Sequence, residues 1–130
     1  MSSNPARFAL TAAALAGAAA VALGAFGAHA LRGILDERAL ATWHTAVEYQ
    51  FWHVLALLMV GLLARSRSSR SLGIAAFAFA IGLVLFCCSL YALALGAPRL
   101  IGAITPFGGI AFIVGWLALA WHAWRDAASQ

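Results

Sequence analysis

Ser71-Leu-Gly-Ile-Ala-Ala-Phe-Ala-Phe-Ala-Ile-Gly-Leu-Val-Leu-Phe-Cys-Cys-Ser-Leu-Tyr-Ala-Leu-Ala-Leu-Gly-Ala-Pro98 contains no Asp, Glu, Lys or Arg. A helix needs about 20 mainly apolar residues to cross the hydrocarbon of a bilayer, and this run exceeds that length. Three more uncharged runs flank it: Phe8–Leu31, Tyr49–Ala64 and Leu100–Trp124. Together they predict four membrane-spanning helices over about 7–30, 43–64, 72–96 and 101–124. Glu48 shortens the second run. Transmembrane strands are excluded, because the Ala/Leu-rich runs lack the roughly 10-residue alternation of barrel strands. The predicted fold class is all-α, a polytopic membrane protein built as a four-transmembrane-helix bundle in a single membrane domain over residues 1–130.

Composition agrees. Of 130 residues, 65% are hydrophobic and 9% charged, against roughly 45–50% and 25% in soluble domains. The mean hydropathy is +0.94. A disordered tail, a disulfide scaffold and a water-soluble enzyme core are thereby excluded. The formal charge of +4 suggests nucleic acid, but the distribution of the charges opposes it. All eight basic residues are Arg and lie at helix ends. Arg65, Arg67 and Arg70 share one loop, which the positive-inside rule places in the cytoplasm. Arg7 and Arg125 then fall on the same side; Arg32, Arg38 and Arg99 face the other, offset by Asp36 and Glu37. The expected location is the bacterial inner membrane, multi-pass, with both termini cytoplasmic. The arginine loop is read as a topology signal rather than an anionic-lipid site. Ala28-His29-Ala30 imitates a signal-peptidase motif, but the preceding apolar run is longer than the 7–15 residues of a signal segment, so no cleavage is expected.

Between the first two spans, Leu31, Ile34, Leu35 and Ala39 recur near helical spacing with Arg32, Asp36 and Glu37 opposite. A short interfacial amphipathic helix is predicted over 31–42. Gly96-Ala-Pro98 predicts a tight turn. Trp43, Trp121 and Trp124 are expected as interfacial anchors. Ala12, Ala16, Ala20, Gly24 and Ala28 stand four apart, and Gly108, Gly109 and Gly115 mark the fourth span. Ala16, Ala20, Gly24 and these three glycines are predicted helix-packing positions. Cys87 and Cys88 are adjacent and read as packing residues.

The polar residues within the spans are the candidate site. With the arginine loop inside, His29, His44, Glu48, Tyr49, Gln50, His53, Ser89, Tyr91 and Thr105 all fall in the outer half. An isolated carboxylate in hydrocarbon costs at least ~2.5 kcal/mol. Glu48 is therefore expected at the centre of an outer polar cluster.

At these residues the chain resembles domain-of-unknown-function family 423, which includes transmembrane protein 256. The matching strings are Gly24-Ala-Phe-Gly-Ala-His29-Ala-Leu31, Trp43-His-Thr-Ala-Val-Glu-Tyr49-Gln50-Phe-Trp-His53, Ser89-Leu-Tyr91-Ala-Leu-Ala-Leu95, and Thr105-Pro-Phe-Gly-Gly109 through Gly115-Trp116. The resemblance implies a small four-helix integral membrane protein and no assigned reaction or substrate.

Three functions are weighed. The first is a non-enzymatic structural or accessory membrane component, whose polar residues bind helices together. The second is a small-molecule, ion or proton site in the outer half. The third is a metal or haem site, since His29, His44 and His53 suit ligation by residue type; but His44 and His53, nine apart, face about 180° from each other. The first is favoured, with no catalytic residue, cofactor or metal ligand expected. The expected partners are the lipid bilayer and either a membrane-protein partner or further copies of the chain, with no nucleic acid.

Overall fold

The computed structural model describes residues 4–128. Helix α1 covers Pro5–His29 and α2 covers Glu37–Ser66. The third span, Arg70–Ala94, is assembled from α3 (Arg70–Gly82), a π-helical stretch at Leu83–Cys88 and α4 (Ser89–Ala94). A 3₁₀ turn, Arg99–Ala103, then leads into α5, Thr105–Ala127. No strand occurs among the described residues. The four spans are each long and apolar enough to cross a membrane.

Local chemistry sets the helix ends. The Asn4 side chain accepts from the Ala6 N–H, with Pro5 in the first turn of α1. Asp36 accepts from the Ala39 N–H at 2.7 Å, and Ser69 accepts from the Leu72 N–H at 3.2 Å. Each cap satisfies an N–H that the helix itself leaves without a carbonyl. After α4 the chain reverses at Gly96, whose φ of +92° is a conformation suited to glycine.

The Asp36 cap corrects one expectation. There is no separate interfacial helix over 31–42. Residues 30–34 form turns, and Glu37–Thr42 are the opening turns of α2. The amphipathic spacing there is real, but it belongs to a longer helix that begins above the apolar run.

Helix α1 packs along α2, and α3 along α5. The second and third spans hold the middle: 44% of the most apolar window is buried in each, against 17% in the first and fourth. Phe79, Leu57, Leu72, Val60 and Cys87 are enclosed at the centre. Leu15, Leu55, Val84, Ile113 and Leu117 point outward and are more than half exposed. Large apolar side chains on the outside suit lipid as the solvent.

On α1 the buried positions are Ala6, Ala9, Ala13, Ala20 and Gly27. Ala16 and Gly24 are only half-buried, and Ala28 is exposed. A strict four-residue ladder advances about 40° per step on a helix of 3.6 residues per turn. It therefore rotates out of the contact, whereas the seven-residue spacing of Ala13, Ala20 and Gly27 keeps to it.

Glycines mark the closest approaches. A Cβ at Gly27 would stand 2.5 Å from the Trp43 indole, one at Gly61 2.9 Å from Leu10, and one at Gly115 2.7 Å from the Phe79 ring. At Gly108 it would meet the Phe86 backbone, with Cα at 2.7 Å. Gly24 and Gly109 have room, their nearest neighbours being 3.4 Å and 3.9 Å away.

Candidate functional site

Helix α2 buries a continuous stripe, Trp43, Ala46, Gln50, His53, Leu57 and Val60. The spacing alternates three and four residues, so all six lie on one face. This phase decides which polar residues enter the bundle.

Trp43 is 2% exposed, so it is a core residue and not the interfacial anchor that its position suggested. Its indole N–H donates to the Leu23 carbonyl at 2.9 Å. Gly27, one turn further along α1, supplies the space for the ring. The other face of Trp43 meets Tyr91 edge-on, with centroids 4.6 Å apart. The two expected anchors at the arginine-loop end, Trp121 and Trp124, are 57% and 76% exposed.

Gln50 lies near the middle of α2 and is 6% exposed. Its carboxamide nitrogen donates to the Ala16 carbonyl on α1 at 2.8 Å. Its carboxamide oxygen accepts from the Tyr91 hydroxyl on α4 at 2.6 Å. One side chain thus ties three helices. Because Ala16 is small, its carbonyl is within reach of a neighbouring helix.

A second group ties in α5. The Ser89 and Thr105 hydroxyls are 2.6 Å apart, and Ser89 also donates to the Phe86 carbonyl at 2.9 Å. The π-helical stretch brings the Phe86 backbone against Gly108. His53 is 5% exposed and stacks on Phe112 with centroids 3.5 Å apart. The Trp116 indole N–H donates to His53 Nε2 at 3.3 Å, and His53 Nδ1 lies 2.7 Å from the Tyr49 carbonyl. The two bonds fit one neutral tautomer: Nδ1–H donates to the carbonyl and Nε2 accepts from the indole.

The candidate cluster therefore divides. Gln50, His53, Ser89, Tyr91 and Thr105 turn inward and make three interhelical links: Gln50 with Tyr91, Ser89 with Thr105, and His53 with Trp116. His29, His44 and Glu48 are exposed, and Tyr49 is 37% exposed. The expectation that Glu48 occupies the centre is corrected. Among the described residues no hydrogen bond or ion pair reaches it, and it lies about 200° around α2 from Gln50. Nor do the described residues contain a group of three His, Cys, Asp or Glu placed to hold a metal ion. Every buried side-chain nitrogen and oxygen in the described residues has a hydrogen-bond partner. Trp43, Trp116 and Phe112 were not among the candidates. Their part depends on which way α2 and α5 face, and no motif announces that.

Comparison with known proteins adds the family. The family model "Protein of unknown function (DUF423)" matches residues 23–109. The chain belongs to the DUF423 family. It is 45% identical over 101 residues to UPF0382 membrane protein YwdK of Bacillus subtilis, covering 77% of this chain and 82% of that one. It is 44% identical over 117 residues to a UPF0382 membrane protein of Haemophilus influenzae, covering 90% and 94%. A Staphylococcus epidermidis UPF0382 membrane protein is 46% identical over 100 residues, covering 77% and 81%. No solved structure matches. The stretch matched by the DUF423 model contains Trp43, Gln50, His53, Ser89, Tyr91 and Thr105, while Phe112 and Trp116 lie beyond it. This is a membrane protein of a family of unknown function, and no enzymatic or transport activity attaches to the relatives' names.

Proposed function

We propose that this protein is a non-enzymatic structural or accessory component of the bacterial inner membrane, a rigid four-helix unit that acts through a membrane-protein partner or a further copy of itself. The observation that carries this reading is the use of the buried polar groups. Gln50, His53, Ser89 and Tyr91 spend their hydrogen bonds on other helices or on helix carbonyls. Polar side chains used this way act as glue between helices. Five arginines on one side against three on the other support cytoplasmic termini and a cytoplasmic 65–70 loop.

A small-molecule or ion site is the second reading. One observation favours it: a cavity of about 660 Å³ at the Asp36 end, lined by Asp36, Arg38, Thr42 and Arg99 among others. Charges of both signs there suit a polar ligand.

Mild detergent extraction followed by native mass spectrometry separates the two. A stoichiometric protein partner or second copy supports the first reading, and a retained polar small molecule supports the second. A stoichiometric metal or haem overturns both. Sidedness is tested on a Ser68→Cys variant lacking Cys87 and Cys88. Labelling by an impermeant reagent in intact cells would refute the cytoplasmic loop.

A further inference from the structure

The arginine-loop end carries a polar assembly that the interior groups do not use. Ser69 Oγ lies 2.9 Å from His122 Nδ1 and 3.1 Å from Ser71 Oγ. Arg67 pairs with Asp126, and the Arg125 guanidinium stands 5.9 Å from the Trp121 ring centre. These groups border a cavity of about 400 Å³ that Arg70 also lines. Among the described residues Asp126 is the one carboxylate in its wall. The chain's other acids, Asp36, Glu37 and Glu48, belong to the far half of the molecule. Arg70 is exposed, and among the described residues no acid pairs with it.

The cavity continues along the bundle. It shares Ser68, Ser69, Arg70 and Ile74 with a groove of about 620 Å³ that follows α3 past Gly73, Phe77 and Ile81, with Pro5 on its border. That groove shares Phe77 and Ile81 with a recess of about 320 Å³ whose lining is entirely apolar and reaches Val84. Phe8 stacks on Phe77 with centroids 5.0 Å apart and forms a side wall. Gly73 leaves the groove open, because a Cβ there would meet nothing within 4 Å. From Ile74 to Val84 the helix rises about 15 Å. That is half of the roughly 30 Å hydrocarbon thickness, the depth of one leaflet.

We propose that this cavity and groove seat one anionic phospholipid of the leaflet that the arginine loop faces. Arg70 and Arg125 hold its phosphate together with the loop serine hydroxyls, and one acyl chain lies along α3. A topology signal needs only positive charge near the helix ends. It does not need a hydroxyl-lined cavity that opens onto an apolar groove one leaflet deep. The charge selects the occupant: a cationic wall with one paired carboxylate favours a lipid of net negative charge over a zwitterionic one. Guanidinium groups suit phosphate because their fork of donors matches its oxygens, and basic pockets between transmembrane helices bind anionic headgroups. The inference stands apart from the proposed function and holds for either orientation of the chain.

The test is native mass spectrometry of the full-length protein in micelles holding equal amounts of phosphatidylglycerol and phosphatidylcholine. The wild type is expected to retain one phosphatidylglycerol in preference to phosphatidylcholine. Arg70→Gln is expected to lower that preference about fivefold, the effect of one basic residue near an anionic surface, and Arg32→Gln, at an exposed position at the far end, to leave it unchanged. Gly73→Leu fills the groove from a position without close neighbours, so it keeps the fold while losing the bound lipid. It carries the test should Arg70→Gln fail to fold. Excess inorganic phosphate is expected to leave the lipid in place. Equal retention of the two lipids by the wild type would overturn the proposal. So would equal losses in Arg70→Gln and Arg32→Gln. Displacement by phosphate, with Gly73→Leu still holding lipid, would make this an anion site with no role for the acyl chain and would also overturn it.

Discussion

Replacing Gln50 by leucine removes the side chain that ties α1, α2 and α4 together while nearly conserving volume, so the packing contribution to the change is small. Two interhelical hydrogen bonds are lost, at 2.8 Å to the Ala16 carbonyl and 2.6 Å from the Tyr91 hydroxyl. Such bonds in membrane proteins average about 0.6 kcal/mol and reach about 1.7. The Gln50→Leu variant is therefore expected to lose about 1–3 kcal/mol of stability. Part of that loss is shared with Tyr91→Phe, which removes only the second bond. In a double-mutant cycle the two substitutions are expected to couple by about 0.6–1.7 kcal/mol. The assay is equilibrium unfolding in mixed micelles of a mild detergent and sodium dodecyl sulfate, followed by circular dichroism. Additivity to within about 0.3 kcal/mol would refute the reasoning, because independent residues add to that accuracy.

Three further outcomes follow from the packing, each read as a melting temperature in detergent. Gly27→Ala is expected to cost about 1–3 kcal/mol, because its Cβ would stand 2.5 Å from the Trp43 ring, whereas Gly24→Ala, at 3.4 Å from Val47, is expected to be neutral or mildly stabilising. Gly108→Ala is expected to be more damaging than Gly73→Ala, since the first would press on the Phe86 backbone and the second meets open space. Glu48→Gln is expected to stay within about 0.5 kcal/mol of the wild type, and a large loss there would show that Glu48 has a partner inside the bundle.

The spans were legible because the charges, Glu48 apart, are confined to their ends: Arg7 and Arg32 bracket one run, Arg70 and Arg99 another. What the sequence did not reveal is the rotation of each helix. In a soluble helix the contrast between apolar and polar faces fixes the phase. Here lipid and core are both apolar, so that contrast is nearly absent. Gln50 faces the bundle and Glu48 faces out, yet they are two residues apart and both polar. The same ambiguity made Trp43 resemble an anchor and made a four-residue ladder on α1 resemble its contact face. The signal that was present lies in the three-and-four spacing of Trp43, Ala46, Gln50 and His53, a stripe that mixes aromatic, small and polar residues and reads as one face only once the neighbouring helices are in place. The cap at Asp36 was legible in residue type. The apolar run begins later than the helix does, so hydropathy alone does not point to the cap.

Gln50 and Gln130 are the two glutamines in the chain, which makes the state of the Gln50 carboxamide directly observable. Protein labelled with ¹⁵N at glutamine side chains gives few amide signals, and the Gln50 pair is identified by its disappearance in Gln50→Leu. If Gln50 locks α1 to α4, its N–H signals exchange with deuterium far more slowly than those of a free carboxamide, and Tyr91→Phe both shifts them and speeds their exchange. Exchange as fast as that of a free carboxamide, with no response to Tyr91→Phe, would contradict the account.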